Sequence, residues 1–312
     1  MKKIAVLGPN PAWQKTLFFK NFIRGAVNRA RKMEELPSGK GINFCRALKC
    51  HGKAGSLLIQ FCGGGNGSRI DAALAAEGMA FHSVAVPGAT RCCITCLDET
   101  EQAMTELIEP SFPAPAEAVE AMLERFGREL ENASGAAFCG SLPDGTDPRL
   151  YVRAAELAAK SGVLLLIDAF RDLDAVFAAG PSVVLKINRE ELAKLAGTED
   201  TAAGLRKIFA RFPALKYAAI TDGPGRAFAF DGEKFAVYTL PALAHVANPI
   251  GCGDTASAVL LSELCTGSDL FEGFRRALAA ASANCLNSTP GHFLPGEAAK
   301  LLPEMEFRNS ED

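Results

Sequence analysis

Asn248-Pro249-Ile250-Gly251-Cys252-Gly253-Asp254-Thr255-Ala256-Ser257-Ala258-Val259-Leu260 sets two glycines around a cysteine and an acid directly behind them. The small residues open a helix over 254–266, in which Val259, Leu260 and Leu264 recur at helical spacing. Gly267 is placed to end it in a left-handed conformation. A glycine turn feeding a helix aims several unpaired backbone N–H groups at one point, with the positive end of the helix dipole behind them. That arrangement suits an anion, and the missing Cβ atoms at Gly251 and Gly253 let it approach the backbone closely. A carboxylate beside an anion is disfavoured, so Asp254 calls for a chemical reason. A general base that takes the proton of a hydroxyl attacking a phosphoryl group supplies one. The plainer alternative is an ordinary helix start with an acidic first turn.

Outward from this stretch the chain alternates between two periods. The segments 2–7, 56–61, 136–139, 163–168, 183–187 and 217–221 read as short buried strands. Helical patterns at 42–51, from about 69, and at 116–132, 148–160, 172–179 and 189–196 stand between them, and 269–286 follows the central helix. Residues 226–230 and 234–239 form a hairpin about Asp231-Gly232. Strands separated by helices imply βαβ units and a mostly parallel sheet covered on both faces. Two regions break the rhythm, 13–35 and 89–109. They read as a small sheet, discontinuous in sequence, projecting from one edge.

Composition narrows the class. In 312 residues, 48% are hydrophobic and 22% charged, enough for a large core. A net charge of −3 argues against a nucleic-acid or anionic-membrane surface. No signal peptide is apparent, since Pro9 and Pro11 stop the first apolar run, and no run approaches the ~20 residues of a membrane span. Ten irregularly spaced cysteines in apolar segments read as reduced thiols of a cytoplasmic protein. Cys93 and Cys96 have CxxC spacing but no second pair and no adjacent His, so no metal or redox role is expected there.

In open α/β sheets, ligands bind beyond the carboxyl ends of the strands. The polar residues expected there are Asn10, Gly39-Lys40-Gly41, Asn43, the glycines of 63–67, Ser141, Asn188 with Glu191, the 222–225 turn and Gly251 to Asp254. Neither GxxxxGK[ST] nor a complete GxGxxG occurs, so a nucleotide would bind in another way. Gly251-Cys252-Gly253-Asp254 resembles the GAGD signature of the PfkB (ribokinase-like) carbohydrate kinases. Further motifs match in order: Asn10-Pro11, Val27-Asn28-Arg29, Gly39-Lys40-Gly41-Ile42-Asn43, Gly88-Ala89-Thr90-Arg91, Gly140-Ser141-Leu142-Pro143, Lys186 to Glu191, and Asn248-Pro249. The combination is similar to the 1-phosphofructokinase and tagatose-6-phosphate kinase branch. The resemblance covers essentially the whole chain. It implies a single α/β domain over 1–312, doubly wound, with a mostly parallel sheet, helices on both faces, and a β-sheet lid that often makes a homodimer.

The resemblance also implies roles. Asp254 would be the catalytic base, with the N–H groups of Gly251, Cys252, Gly253 and Asp254 as the hole for the transferring phosphoryl. Asn188 and Glu191 would hold Mg²⁺, largely through water. Lys186, Asn188, Thr221, Gly223, Gly225 and Asn284 would lie near ATP. Gln14, Gly39, Asn43 and Ser141 would meet the sugar or its phosphate, which Arg29, Lys40 and Arg91 would grip. Taken alone, Arg29 and Arg91 read as solvated surface charges and Asn284 as a polar core residue. Lys40 is more telling, because a cation at a helix start opposes the dipole unless an anion is bound. Four departures stand out: Gln14 where the branch has Asp, Ile187 for proline, Thr221-Asp222-Gly223 for Ser-Leu-Gly, and Cys252 for alanine. A thiol at a helix N-terminus is expected to have a lowered pKa. The implied reaction is ATP-dependent phosphorylation of a phosphorylated ketohexose, fructose 1-phosphate before tagatose 6-phosphate. A kinase for free sugars or nucleosides and a sugar-phosphate-binding protein without catalysis are the rival readings.

Overall fold

The computed structural model describes residues 2–101, 103–169 and 173–310. Position 172, the expected start of a short helix, and position 102 within the second small-sheet region lie outside the described residues. In chain order the elements are β1 (Lys2–Leu7), β2 (Ala12–Phe19), β3 (Lys32–Ser38), α1 (Lys40–His51), β4 (Ala54–Cys62), α2 (Gly64–Ala76), β5 (Phe81–Ala85), β6 (Cys92–Asp98) and β7 (Ala103–Ile108). Next come α3 (Ala116–Leu130), β8 (Gly135–Cys139), α4 (Arg149–Ser161), β9 (Leu164–Asp168), α5 (Leu173–Ala178), β10 (Ser182–Asn188), α6 (Arg189–Ala196), α7 (Thr201–Arg211) and β11 (Leu215–Asp222). The chain closes with β12 (Arg226–Phe230), β13 (Phe235–Thr239), α8 (Cys252–Thr266), α9 (Leu270–Cys285), α10 (Pro295–Leu301) and β14 (Glu306–Ser310).

Ten strands form one sheet in the order β14-β13-β12-β11-β10-β9-β8-β1-β4-β5. The seven strands β11-β10-β9-β8-β1-β4-β5 run parallel, and β12, β13 and β14 add an antiparallel edge. Alternate residues of β1 enter opposite cores: Ala5 and Leu7 pack with α3 to α7, Ile4 and Val6 with α1, α2, α8 and α9. That alternation is why the strands read as continuous apolar runs, with both faces dry. The strand order reverses between β1 and β8. A crevice therefore opens at their carboxyl ends, between Gly8-Pro9-Asn10 and Gly140-Ser141. Gly8 and Gly41 line it back to back; a Cβ on Gly41 would lie 2.6 Å from the Gly8 Cα.

The two irregular regions form a separate four-stranded sheet, β3-β2-β6-β7. It stands beside α2, where the Arg69 guanidinium lies 4.2 Å from the centre of the Trp13 ring. The glycine run 63–67, expected as an open loop before a helix at about 69, is instead the first turn of α2. A Cβ on Gly63 would meet the Gly88 carbonyl oxygen at 2.1 Å, so these glycines admit the β5–β6 connection rather than a ligand. Helix α7, helix α10 and strand β14 were not anticipated. No helix among the described residues is long and apolar enough to cross a membrane.

Candidate active site

Asp254 sits in the first turn of α8, 7% exposed, beneath the loop that Gly251 opens. Gly251 has φ 82°, and a Cβ there would meet the Gly291 nitrogen at 2.5 Å, so glycine is required on both counts. The Asn43 amide on α1 donates to the Asp254 Oδ2 over 2.8 Å. Asn43 is itself fixed: its Oδ1 accepts from the Ser38 hydroxyl and from Arg46. Burial first, then the negative charge of Asp168, pushes the Asp254 carboxyl up to about 6. Lys40, Asn43 and Lys186 act the other way. A buried carboxylate that titrates near neutrality is suited to accepting a proton.

Asp168, at the carboxyl end of β9, escaped the sequence reading, although an acid closing an apolar strand run was its available signal. Its Oδ1 accepts from Lys40 Nζ at 2.6 Å and its Oδ2 from the Ser257 hydroxyl at 2.7 Å. Burial alone would raise it, yet the charges of Lys40 and Lys186 and those two hydrogen bonds hold it at about 2. The two acids are thereby driven apart, one ionised and one poised. Lys40 begins α1, and the anion that offsets its unfavourable place there is the Asp168 carboxylate, which raises the lysine. Arg46, also missed, is buried and reaches Glu77 and the carbonyls of Pro37 and Pro290. It ties Asn43 to the segment that backs Gly251.

A cavity of about 480 Å³, lined by Lys40, Ser141, Asp168 and Glu191 among others, borders this centre, and two more flank it. One of about 120 Å³ lies at the β1–β8 crevice, lined by Asn10, Gly39, Lys40, Arg91, Gly140 and Ser141 among others. Arg91 donates to the Asn10 carbonyl, and its buried Nε has no partner. The other, of about 740 Å³, is lined by Thr221, Gly223, Gly225, Leu243, Val246, Cys252, Gly253, Leu278 and Cys285 among others. Lys186 is buried on β10, and a Cβ on Gly253 would lie 3.0 Å from its ammonium.

Four expected residues are placed otherwise. Arg29 is exposed in the β2–β3 connection and lines none of these cavities. Gln14, 4% exposed, turns its amide to Thr95 Oγ1 at 2.7 Å and to the Lys15 carbonyl, so its donor is spent inside the small sheet. Asn284 is fully buried behind the loop. It donates to the Ile250 carbonyl and to the Cys252 sulfur and accepts from Thr255, so its side chain supports the loop. Cys252, expected with a lowered pKa, is instead pushed well up, first by its contact with the Cys285 thiol and then by burial.

Asn188 and Glu191 form a reciprocal capping box on α6: each side chain accepts from the other's backbone N–H at 2.9 Å. Among the described residues no cluster of three or more His, Cys, Asp or Glu side chains could hold a metal. The donors fit Mg²⁺ only in the manner usual for it, a hard oxygen set of one carboxylate and an amide carbonyl completed by water and phosphate oxygens.

The pfkB family carbohydrate kinase model matches residues 1–296. The chain belongs to that family and is a phosphotransferase acting on a sugar hydroxyl. It is 30% identical over 309 residues to the 1-phosphofructokinase of Rhodobacter capsulatus, covering 96% of this chain and 95% of that one. It is 26% identical over 312 residues to the tagatose-6-phosphate kinase of Staphylococcus epidermidis, with 97% and 98% covered. Among solved structures it resembles phosphofructokinase-2 of Escherichia coli in complex with fructose-6-phosphate, with a TM-score of 0.86, 22% identity, and 97% and 99% covered. Ribokinase of Arabidopsis thaliana shares the fold at a TM-score of 0.73, with 17% identity and the same coverage.

Proposed function

We propose that the protein transfers the γ-phosphoryl of ATP to a hydroxyl of a phosphorylated ketohexose, with fructose 1-phosphate as the preferred acceptor. The observation that carries this is Asp254 held by Asn43 between a small crevice bearing Lys40 and Arg91 and a larger cavity opening on Cys252 and Gly253. The crevice suits an anionic sugar, since Arg91 keeps a buried donor without a partner there. A free sugar would offer that guanidinium no counter-charge. The larger cavity, with apolar walls from Leu243, Val246 and Leu278, suits a base and ribose, the phosphates reaching inward to the loop.

In this reading Asp254 accepts the proton of the attacking hydroxyl as the oxygen bonds to phosphorus. The N–H groups of Gly251 to Asp254 meet the charge that grows on the phosphoryl oxygens, and Lys186 supports them from β10. Asn188 and Glu191 would steady hydrated Mg²⁺, which supplies charge neutralisation between the phosphates. The small sheet acts as a lid and as the contact of a homodimer. Its exposed Met33, Met104, Leu107 and Ile108 support this.

Tagatose 6-phosphate is the second acceptor, favoured by the similarity to tagatose-6-phosphate kinase. The test is ADP release across fructose 1-phosphate, tagatose 6-phosphate, fructose 6-phosphate and the free sugars. Turnover of free fructose or ribose in preference to the phosphates overturns the proposal.

A further inference from the structure

Two sulfurs meet in the wall of the larger cavity. Cys252 Sγ, on the first residue of α8, lies 3.0 Å from Cys285 Sγ, on the last residue of α9. Among the described residues this is the one sulfur–sulfur contact; seven of the other eight cysteines are buried and the eighth is Cys50. Both members of the pair are partly exposed and line the cavity, so a small oxidant can reach them from the side expected to receive the nucleotide.

We propose that Cys252 and Cys285 form an oxidation site for peroxide, closing to a disulfide that switches the phosphoryl hole off. The consequence for catalysis rests on the proposed kinase function, whereas the bond itself does not. The Cys285 sulfur attacks hydrogen peroxide, giving a sulfenic acid and, after protonation, one water. The Cys252 sulfur then displaces the hydroxyl, its thiol proton leaving in the second water. Two thiols become one disulfide as one peroxide is reduced. The Cys252 contact holds the Cys285 thiol below its ordinary range, which favours this order of attack.

The geometry explains why turnover would suffer. A disulfide needs about 2.05 Å between sulfurs, so closure shortens the separation of the two sulfurs by about 1 Å. The same movement strains the bond from Asn284 to the Cys252 sulfur at 3.2 Å. Gly251 cannot follow freely, because it is packed against the backbone of Pro290 and Gly291. Closure therefore pulls on the N–H groups on either side of Cys252 and on Asp254 two residues on. A shift of about 1 Å in such groups can cost on the order of 10²-fold in rate.

The test treats the intact protein with hydrogen peroxide, blocks remaining thiols by alkylation, and reads the peptides by mass spectrometry. The expected result is a Cys252–Cys285 cross-link two mass units lighter than the dithiol, with turnover reduced about tenfold or more. Reduction by a phosphine should restore it. Cys285→Ala and Cys285→Ser, each measured against its own untreated sample, should lose far less. Alkylation of both thiols in the peroxide-treated folded protein, with no cross-link, overturns the proposal whatever the sugar. A cross-link that leaves both turnover and ATP affinity unchanged overturns the switch. Calorimetric ATP binding serves as the readout even if no tested sugar is phosphorylated.

Discussion

Asp254 and Asp168 show how two like side chains acquire opposite tasks from their neighbours. Both are buried, but Asp168 receives the Lys40 ammonium and the Ser257 hydroxyl, while Asp254 receives one neutral amide. Asp254→Asn keeps the shape and removes the base, so turnover should fall by roughly 10²–10⁴ while calorimetry still shows ATP binding. For the parent, a base must be ionised, so kcat/KM should decline as pH falls through the folded value of about 6. In Asn43→Ala the acid limb should move upward, because the amide favours the charged form. Near-normal turnover of Asp254→Asn would falsify the assignment. Gln14 is the second residue with a distinct expectation. Its N–H₂ is committed to Thr95, so any contact with a sugar hydroxyl falls to its carbonyl oxygen. Gln14→Asp should change the ratio of kcat/KM between fructose 1-phosphate and tagatose 6-phosphate and leave the KM for ATP unchanged. An unaltered ratio means that Gln14 does not read the sugar.

Helices α6 and α8 carry their predictions as whole elements. The capping box of α6 satisfies two N–H groups at once, so Asn188→Ala should cost about 1 kcal/mol of stability. Asn188→Ser separates this from the proposed metal role. Serine caps well but is too short to reach a hydrated ion, so stability should recover while the Mg²⁺ requirement rises. Recovery of both would leave Asn188 with the cap alone. In α8 the buried Glu263 gathers His51, Lys53, Ser268 and Arg276, fastening the far end of the helix to α1 and α9. Burial opposes its charge, yet the close approach of His51 Nε2 and the hydrogen bonds from Lys53 and Ser268 hold it far below the carboxylate range. Its stabilisation is therefore present above the unfolded carboxylate value, about 4.3, and lost progressively as pH falls below it. Glu263→Gln should lower stability by about 1–3 kcal/mol at pH 7, measured by urea unfolding, and flatten the acid limb of the stability curve. An unchanged midpoint would remove the anchor role.

At the scale of the molecule, the small sheet leaves β7 exposed along its whole length at the edge β3-β2-β6-β7. An exposed apolar edge strand is a ready pairing surface. Sedimentation should give about twice the 33.0 kDa chain mass, and Leu107→Lys combined with Ile108→Lys should yield monomers. A monomeric parent would sink the dimer. The alternation of strands and helices, the small sheet at 13–35 and 89–109, and the helix after Gly251 were all legible, because each rests on local periodicity and turn residues. Helix α7 went unread. Its Gly204 interrupts the pattern, yet it provides the space in which α7 packs on α6, its Cβ position 3.3 Å from that of Ala196.

The sequence by itself determined the alternation of most strands and helices, many of the residues that stand at the carboxyl ends of the strands, and that an acid follows a glycine turn at a helix start. Those facts depend on residues a few positions apart. Only the tertiary structure decided that Asn43 holds Asp254 from 211 residues away and that Lys40 answers to Asp168 across 128. It also brought the sulfurs of Cys252 and Cys285 together and turned the Gln14 amide to Thr95. Charge, proton affinity and reactivity at such a site vary with distances of a few ångströms between groups far apart in the chain. Packing sets those distances, and no local pattern encodes them.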